Sequence, residues 1–363
     1  MTMQFIDIKR QYERCQQDID SQIRAVLNGA AFIMGKEVGE LESQLAQYAG
    51  TKHAIACASG TDALQLVLMA YGIKPGDEII TTPFTFIATA ETISLLGAKP
   101  VFVDIRRDTF NIDPEKIKKT ITPRTKGIIP VDIFGQCADY DEINQIARGH
   151  GLFVIEDAAQ SFGAKYKGKM ACSLADAGCA SFFPAKPLGC YGDGGMIFTD
   201  DQKKAEALKS LRSHGTGSHK YEHVRIGINS RLDTLQAGIL LAKFKHFPKE
   251  IDLRNQAADY YTARLKAKFE TPQVLSINRS VYAQYNILVD NREALQKRLW
   301  EQGIPTAVYY PKPLHLQTAY ADLGYKKGDF PVTEHVCDHI LALPMHPYLS
   351  KEEQDFIIEK VLG

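Results

Sequence analysis

Lys186 lies in Ser181-Phe-Phe-Pro-Ala-Lys-Pro-Leu-Gly189, between Pro184 and Pro187, with Gly192-Asp-Gly-Gly195 just beyond it. Prolines fix φ, and the neighbouring Phe182 and Phe183 exclude water, so the amine sits on a stiff, poorly solvated turn. Desolvation lowers a lysine pKa, and a neutral amine is the nucleophile that attacks a carbonyl. The chemistry suggested is Schiff-base formation; the alternative is an ordinary loop lysine.

Two further stretches point the same way. Asp157 follows the apolar run Leu152–Glu156, which places it at the carboxyl end of a strand, where open parallel sheets bind ligands. A carboxylate there can keep a ring nitrogen protonated, or simply cap the next helix. Ser59-Gly60-Thr61-Asp62 follows the run His53–Ala58 and opens a helix, so free N–H groups and a hydroxyl face one spot suited to a phosphate. Gly-Thr is also common at such turns. No G-x-x-x-x-G-K-[ST] loop and no G-x-G-x-x-G turn after a strand is present, which removes support for nucleoside triphosphate and dinucleotide sites.

These residues need a scaffold. From Lys52 to about Asp200, runs rich in Val and Ile (His53–Ala58, Glu78–Thr81, Pro100–Ile105, Gly127–Val131, Leu152–Glu156, Cys179–Phe183, Met196–Thr199) alternate with helical patterns at Thr61–Tyr71, Ala88–Leu96, Pro114–Thr120 and Tyr140–His150. The alternation predicts an α/β fold with a mainly parallel sheet covered on both faces. A helix over Ser230–Phe247 is broken by Pro248, which marks a boundary between a large domain, 1–247, with an N-terminal helical segment, and a small domain, 248–363. In the latter, a strand over Val281–Val289, a helix over Arg292–Gln302 and a closing helix over Lys351–Leu362 are expected.

With 363 residues and 45% hydrophobic content the chain can bury a large core and a smaller one. Lys+Arg and Asp+Glu are 43 each, so no global field draws nucleic acid or an anionic membrane. The seven cysteines are scattered without C-x-x-C spacing, which fits free thiols in a reducing compartment. Met1–Arg10 lacks the apolar core of a signal peptide, and no run approaches the length of a membrane span; a cytoplasmic protein is expected.

Taken together, Ser-Gly-Thr-Asp, Glu156-Asp-Ala-Ala-Gln160, the Lys186 segment and Gly-Asp-Gly-Gly resemble the DegT/DnrJ/EryC1 sugar aminotransferases over nearly the whole chain and in the same order. The resemblance implies the aspartate-aminotransferase fold, with a smaller α+β C-terminal domain, and pyridoxal phosphate that cycles through pyridoxamine phosphate. Lys186 would bond to the cofactor aldehyde and then carry protons as base and acid. Asp157 would pair with the pyridine nitrogen, and Gln160 would bond the ring hydroxyl. Phe86, rather than Phe84, would stack on the ring, although both aromatics also suit ordinary core filling. Gly60, Thr61 and Ser181 would hold the phosphate, and Asn229 would reach it from the second subunit of a homodimer with shared sites.

Within that family, Phe134-Gly-Gln-Cys-Ala-Asp139, Leu188-Gly-Cys-Tyr-Gly192, Ser280-Val-Tyr-Ala-Gln-Tyr285 and Leu343-Pro-Met-His-Pro-Tyr348 are most similar to members that aminate UDP-2-acetamido-2-deoxy-3-oxo-D-glucuronate with L-glutamate, for lipopolysaccharide O-antigen. Arg231 would take the sugar carboxylate through its bidentate fork. Tyr309 and Tyr310 would line the sugar site, where the family usually reads His-Tyr-Pro and this chain reads Tyr309-Tyr310-Pro311. Another UDP- or dTDP-linked 3- or 4-keto sugar is the alternative substrate.

A dehydratase on the same fold lacks the lysine and so fits less well; a non-catalytic regulator fits less well because every catalytic position is filled and no DNA-binding segment is appended. His335 and His339, four apart, are read as a structural pair rather than metal ligands, for want of a third. His214, His219 and His223 are read as solvated loop histidines.

Overall fold

The computed structural model describes residues 3–363, so Met1 and Thr2, at the start of the Met1–Arg10 segment and of the expected large domain, lie outside the described residues. Two helices lead in, α1 (Ile8–Gly29) and α2 (Lys36–Ala49). Then strands and crossover helices alternate: β1 (His53–Cys57), α3 (Gly60–Ala70), β2 (Glu78–Thr81), α4 (Ala88–Leu95), β3 (Lys99–Phe102), α5 (Pro114–Ile117), β4 (Thr125–Ile128), α6 (Tyr140–His150) and β5 (Phe153–Asp157). A short hairpin, β6 (Lys165–Tyr166) and β7 (Lys169–Met170), precedes β8 (Ala177–Ser181), β9 (Gly195–Thr199) and α7 (Gln202–Leu211).

The main sheet has seven strands in the order β1-β9-β8-β5-β4-β2-β3. Only β9 runs antiparallel to its neighbours. The mainly parallel α/β sheet expected from the alternation is therefore present. Its strands are nearly continuous apolar runs because helices bury both faces. One side packs Ile80, Ile128, Val154, Ala180 and Phe198, and the other Ile55, Ile79, Ile155, Cys179 and Ile197. Because all strands but β9 run the same way, the residues just past their carboxyl ends lie along one edge of the sheet.

Beyond the sheet come α8 (Thr234–Phe244) and α9 (Phe247–Leu265), then β10 (Asn278–Arg279), β11 (Tyr285–Leu288), α10 (Arg292–Glu301), α11 (Pro331–His339), β12 (Ile340–Leu343) and α12 (Lys351–Leu362). The β11–β12 ladder and helices α9, α10 and α12 enclose a second core containing Tyr261, Tyr285, Leu299, Leu341 and Ile357. Helix α9 is shared: Phe247 and Ile251 belong to the large core, Ala257, Tyr261 and Leu265 to the small one.

Two local expectations change. The helix does not run from Ser230 to a break at Pro248; it starts at Thr234, ends at Phe244, and Pro248 sits in the first turn of α9. Proline has no N–H to lose at that position, so it starts a helix rather than interrupting one. The strand expected over Val281–Val289 is confined to Tyr285–Leu288, because Val281 N and Ala283 N donate to Gly135 O and Phe134 O of the large lobe.

Candidate active site

The carboxyl ends of β1, β2, β5 and β8 converge on one cleft. Asp157 ends β5 and is 4% exposed. Its Oδ2 accepts from Thr89 Oγ1 at 2.7 Å and its Oδ1 from Ala159 N at 3.2 Å. Burial raises its pKa, opposed by those two hydrogen bonds and by the charge of Lys186. Glu156, its neighbour on the strand, faces the other way and accepts from Cys172 N at 2.6 Å and Leu174 N at 3.1 Å, so it ties β5 to the next turn.

Lys186 stands at the tip of the turn between β8 and β9, with its backbone N bonded to Phe183 O at 2.8 Å. Burial lowers its amine to about 8, against the opposing pull of Asp157. The base of the turn is clamped. Cys190 N donates to Phe182 O, Tyr191 N to Gln236 Oε1, and buried Lys243 Nζ to Gly189 O. Gly189 has to be glycine, because a Cβ there would lie 2.7 Å from Phe183 O.

At the start of α3, Ser59 Oγ accepts from Asp62 N, and Ser59 O from Ala63 N. The N–H groups of Gly60 and Thr61 are left without an intrahelical acceptor. A Cβ on Gly60 would sit 2.7 Å from Ser181 Cβ, and one on Gly195 would run into Ser59 O and lie 2.8 Å from Gly60 N. The two glycines thus let three strand ends close around a small anion-sized nest. Ser181 Oγ accepts from Phe183 N at 3.3 Å, which leaves its proton free to donate.

Gln160 is buried; its Oε1 accepts from Phe134 N at 2.7 Å and its Nε2 donates to Tyr310 Oη at 3.2 Å. One amide hydrogen remains for a ligand. Phe84 is fully buried in an aromatic cluster with Phe110 and Phe134, whereas Phe86 is 57% exposed, with its ring 6.4 Å from that of Tyr310. Core filling therefore describes Phe84 and not Phe86. Tyr309 packs on Phe5 and Tyr310, and Arg231 is half-buried with an unpartnered Nε. Asn229, like Phe86, is exposed, and it lies at the foot of an exposed loop.

Thr85, Thr89 and Gly195 were not singled out in the sequence, although Gly195 closes the Gly-Asp-Gly-Gly run and the threonines flank Phe86. His223 bonds to His214 O within the exposed loop, and His335 and His339 lie with ring centroids 4.1 Å apart. Among the described residues no group of three or more His, Cys, Asp or Glu is arranged to hold a metal.

The model of the DegT/DnrJ/EryC1/StrS aminotransferase family matches residues 13–362. The chain belongs to this family. It is 54% identical over 96% of both chains to the UDP-2-acetamido-2-deoxy-3-oxo-D-glucuronate aminotransferase of Pseudomonas aeruginosa. It is 47% identical, over 99% of this chain and 98% of the other, to a pleiotropic regulatory protein of Geobacillus stearothermophilus. A solved Bacillus subtilis structure with bound cofactor PMP superposes with a TM-score of 0.93 at 34% identity, covering 99% of this chain and 84% of that one. The family, fold and aminotransferase activity implied by the motifs are thus met in this member of the DegT/DnrJ/EryC1/StrS group.

Proposed function

We propose that the protein transfers the amino group of L-glutamate to UDP-2-acetamido-2-deoxy-3-oxo-D-glucuronate, using pyridoxal phosphate, at sites shared within a homodimer. The observation that carries the chemistry is the meeting, in one cleft, of a lysine amine depressed to about 8, a buried carboxylate and the backbone N–H groups at the start of α3. These residues fit the cofactor. The nest of Gly60 and Thr61 with Ser181 suits its phosphate, Asp157 its pyridine nitrogen, Gln160 its hydroxyl and exposed Phe86 its ring face.

When bound, pyridoxal phosphate supplies an aldehyde to carry the amino group and a ring that accepts electrons from a deprotonated carbon. Asp157 holds the proton on the ring nitrogen, and its burial strengthens that charge pair. Lys186 Nζ would take the proton from the α-carbon of glutamate; the amino group would stay with the cofactor, and water would supply the keto oxygen of the 2-oxoglutarate released. In the second half-reaction Lys186 Nζ delivers a proton to C3 of the sugar. Arg231 orients the sugar carboxylate, and Tyr309 and Tyr310 border the sugar.

The shared site is supported by the loop between α7 and α8. Thr216 pairs with His223 there, while Tyr221 and Ile226 are 84% and 89% exposed. Apolar groups so exposed beside Asn229 suit burial against a second copy. We place the two lobes at 1–247 and 248–363, with α9 as their hinge. No helix among the described residues is long and apolar enough to cross a membrane; cytoplasmic location and a role in O-antigen assembly are part of the proposal. The name of the regulatory relative favours a second reading, ligand sensing without turnover, but it gives no reason for the depressed Lys186.

Incubation with glutamate and a panel of freshly generated keto sugars, followed by 2-oxoglutarate release, tests the substrate. Release beyond one equivalent per site is expected with the 3-oxo uronate; such release with 4-keto sugars alone refutes this substrate, and none with any sugar favours sensing.

A further inference from the structure

Two threonine hydroxyls that the reaction as described leaves unused form a buried line with the carboxylate of Asp157. Thr85, Thr89 and Asp157 are 4%, 1% and 4% exposed. Thr89 Oγ1 lies 2.7 Å from Asp157 Oδ2 and 2.9 Å from Thr85 Oγ1. A threonine hydroxyl has a single proton. Because an ionised Asp157 can only accept, that proton is committed to the carboxylate, and Thr89 must accept from Thr85. The line therefore has one direction, Thr85 to Thr89 to Asp157.

The line also links two elements. Thr85 lies between Phe84, which is buried, and Phe86, which is open to the cleft; Thr89 is in the first turn of α4. One hydroxyl pair thus joins the segment that presents the aromatic face to the group that faces the ring nitrogen. A hydrogen bond to a charged group is short and about twice as strong as a neutral one, and donors in series polarise one another.

We infer that Thr89, supported by Thr85, is a positioning residue that fixes the Asp157 carboxylate in its ionised, ring-facing orientation. The inference rests on the reading of Asp157 as the partner of the cofactor nitrogen. The Thr89 hydroxyl is engaged by Asp157 and Thr85, so it acts through Asp157. The requirement is for a hydroxyl at this position, not for the volume of the side chain.

Four variants test it: Thr89→Val, which keeps the shape and removes the hydroxyl, Thr89→Ser, Thr85→Val, and Asp157→Asn alongside. The readouts are the dissociation constant for pyridoxal phosphate by equilibrium dialysis, the kcat and KM for glutamate, and the thermal midpoint of the cofactor-free protein. Thr89→Val should weaken cofactor retention and lower kcat, each by about tenfold or more, as one lost hydrogen bond to a charge predicts. The KM for glutamate should move less than about twofold, since no substrate contact is removed. Thr89→Ser should restore both, and Thr85→Val should show a smaller loss of the same sign.

If Thr89→Val keeps parental cofactor affinity and kcat while Asp157→Asn loses them, the hydroxyl line is overturned and the role of Asp157 stands. A Thr89→Ser protein that folds yet fails to recover overturns it too, because packing of the methyl group would then be what matters. Unchanged behaviour of Asp157→Asn removes the underlying reading of the site itself.

Discussion

The cofactor end of the cleft and its sugar end are built by different means. At the cofactor end, backbone and short side chains at the ends of β1, β5 and β8 interlock so tightly that a Cβ on Gly60 or Gly195 has no room. At the sugar end, Arg231, Tyr309 and Tyr310 are half-buried. The first region is positioned by the sheet and, in our proposal, completed at the phosphate by Asn229 of a second subunit; the second depends on longer side chains and loops. Chemistry is thereby fixed by the scaffold, while specificity is left to parts that can change without disturbing it.

The largest effect should come from the cofactor end. Lys186→Ala should cut turnover by about four orders of magnitude, because both the covalent anchor and the proton carrier are lost; steady-state 2-oxoglutarate release measures it. Gly195→Ala should follow. Backbone cannot move aside as a flexible side chain would, so cofactor affinity should fall by about ten- to a hundredfold, read by dialysis. Similar affinity in Gly195→Ala would show that the nest is softer than the contrast requires.

The same end has a pH signature. Attack on the cofactor aldehyde needs a neutral amine, and burial lowers Lys186 to about 8. The rate of cofactor loading onto the cofactor-free protein should therefore rise with pH, reach half its plateau near pH 8, and level off above it. A rate still climbing through pH 10 would mean an ordinary, solvated lysine.

Effects at the second subunit's phosphate contact and at the sugar end should be smaller. Mixing inactive Lys186→Ala with a weakened Asn229→Ala protein should restore activity, because each mixed dimer regains about one intact site. Additive, unimproved activity would place Asn229 in its own chain's site or in none. Tyr309→His should change kcat by less than about threefold and act mainly on the KM for the sugar, since a phenol and an imidazole both hydrogen-bond.

The contrast also decides what was readable from the sequence. Helices over Tyr140–His150 and Lys351–Leu362 have the expected bounds because their stop and start are local: Gly151 adopts a left-handed conformation, and Ser350 with Glu353 forms a capping box. The run Val281–Val289 carried a strand pattern, but Phe134 and Gly135, far away in the chain, took its first hydrogen bonds. Lys186 and Asp157 were legible through their motifs. Thr89 was not: it bonds a residue 68 positions away, and a threonine in the first turn of a short helix, with another four residues before it, looks like ordinary turn chemistry. Contacts set by the sheet's order rather than by neighbours in the chain leave no local mark.

The most direct test of the central claim uses one half-reaction. Purified protein loaded with pyridoxal phosphate is mixed with L-glutamate in the absence of any sugar, and visible absorbance and 2-oxoglutarate are followed together. Loss of the visible band with about one 2-oxoglutarate per site, absent from Lys186→Ala, is the predicted result. No bleaching, or bleaching with repeated turnover in Lys186→Ala on adding the keto sugar, would contradict the account.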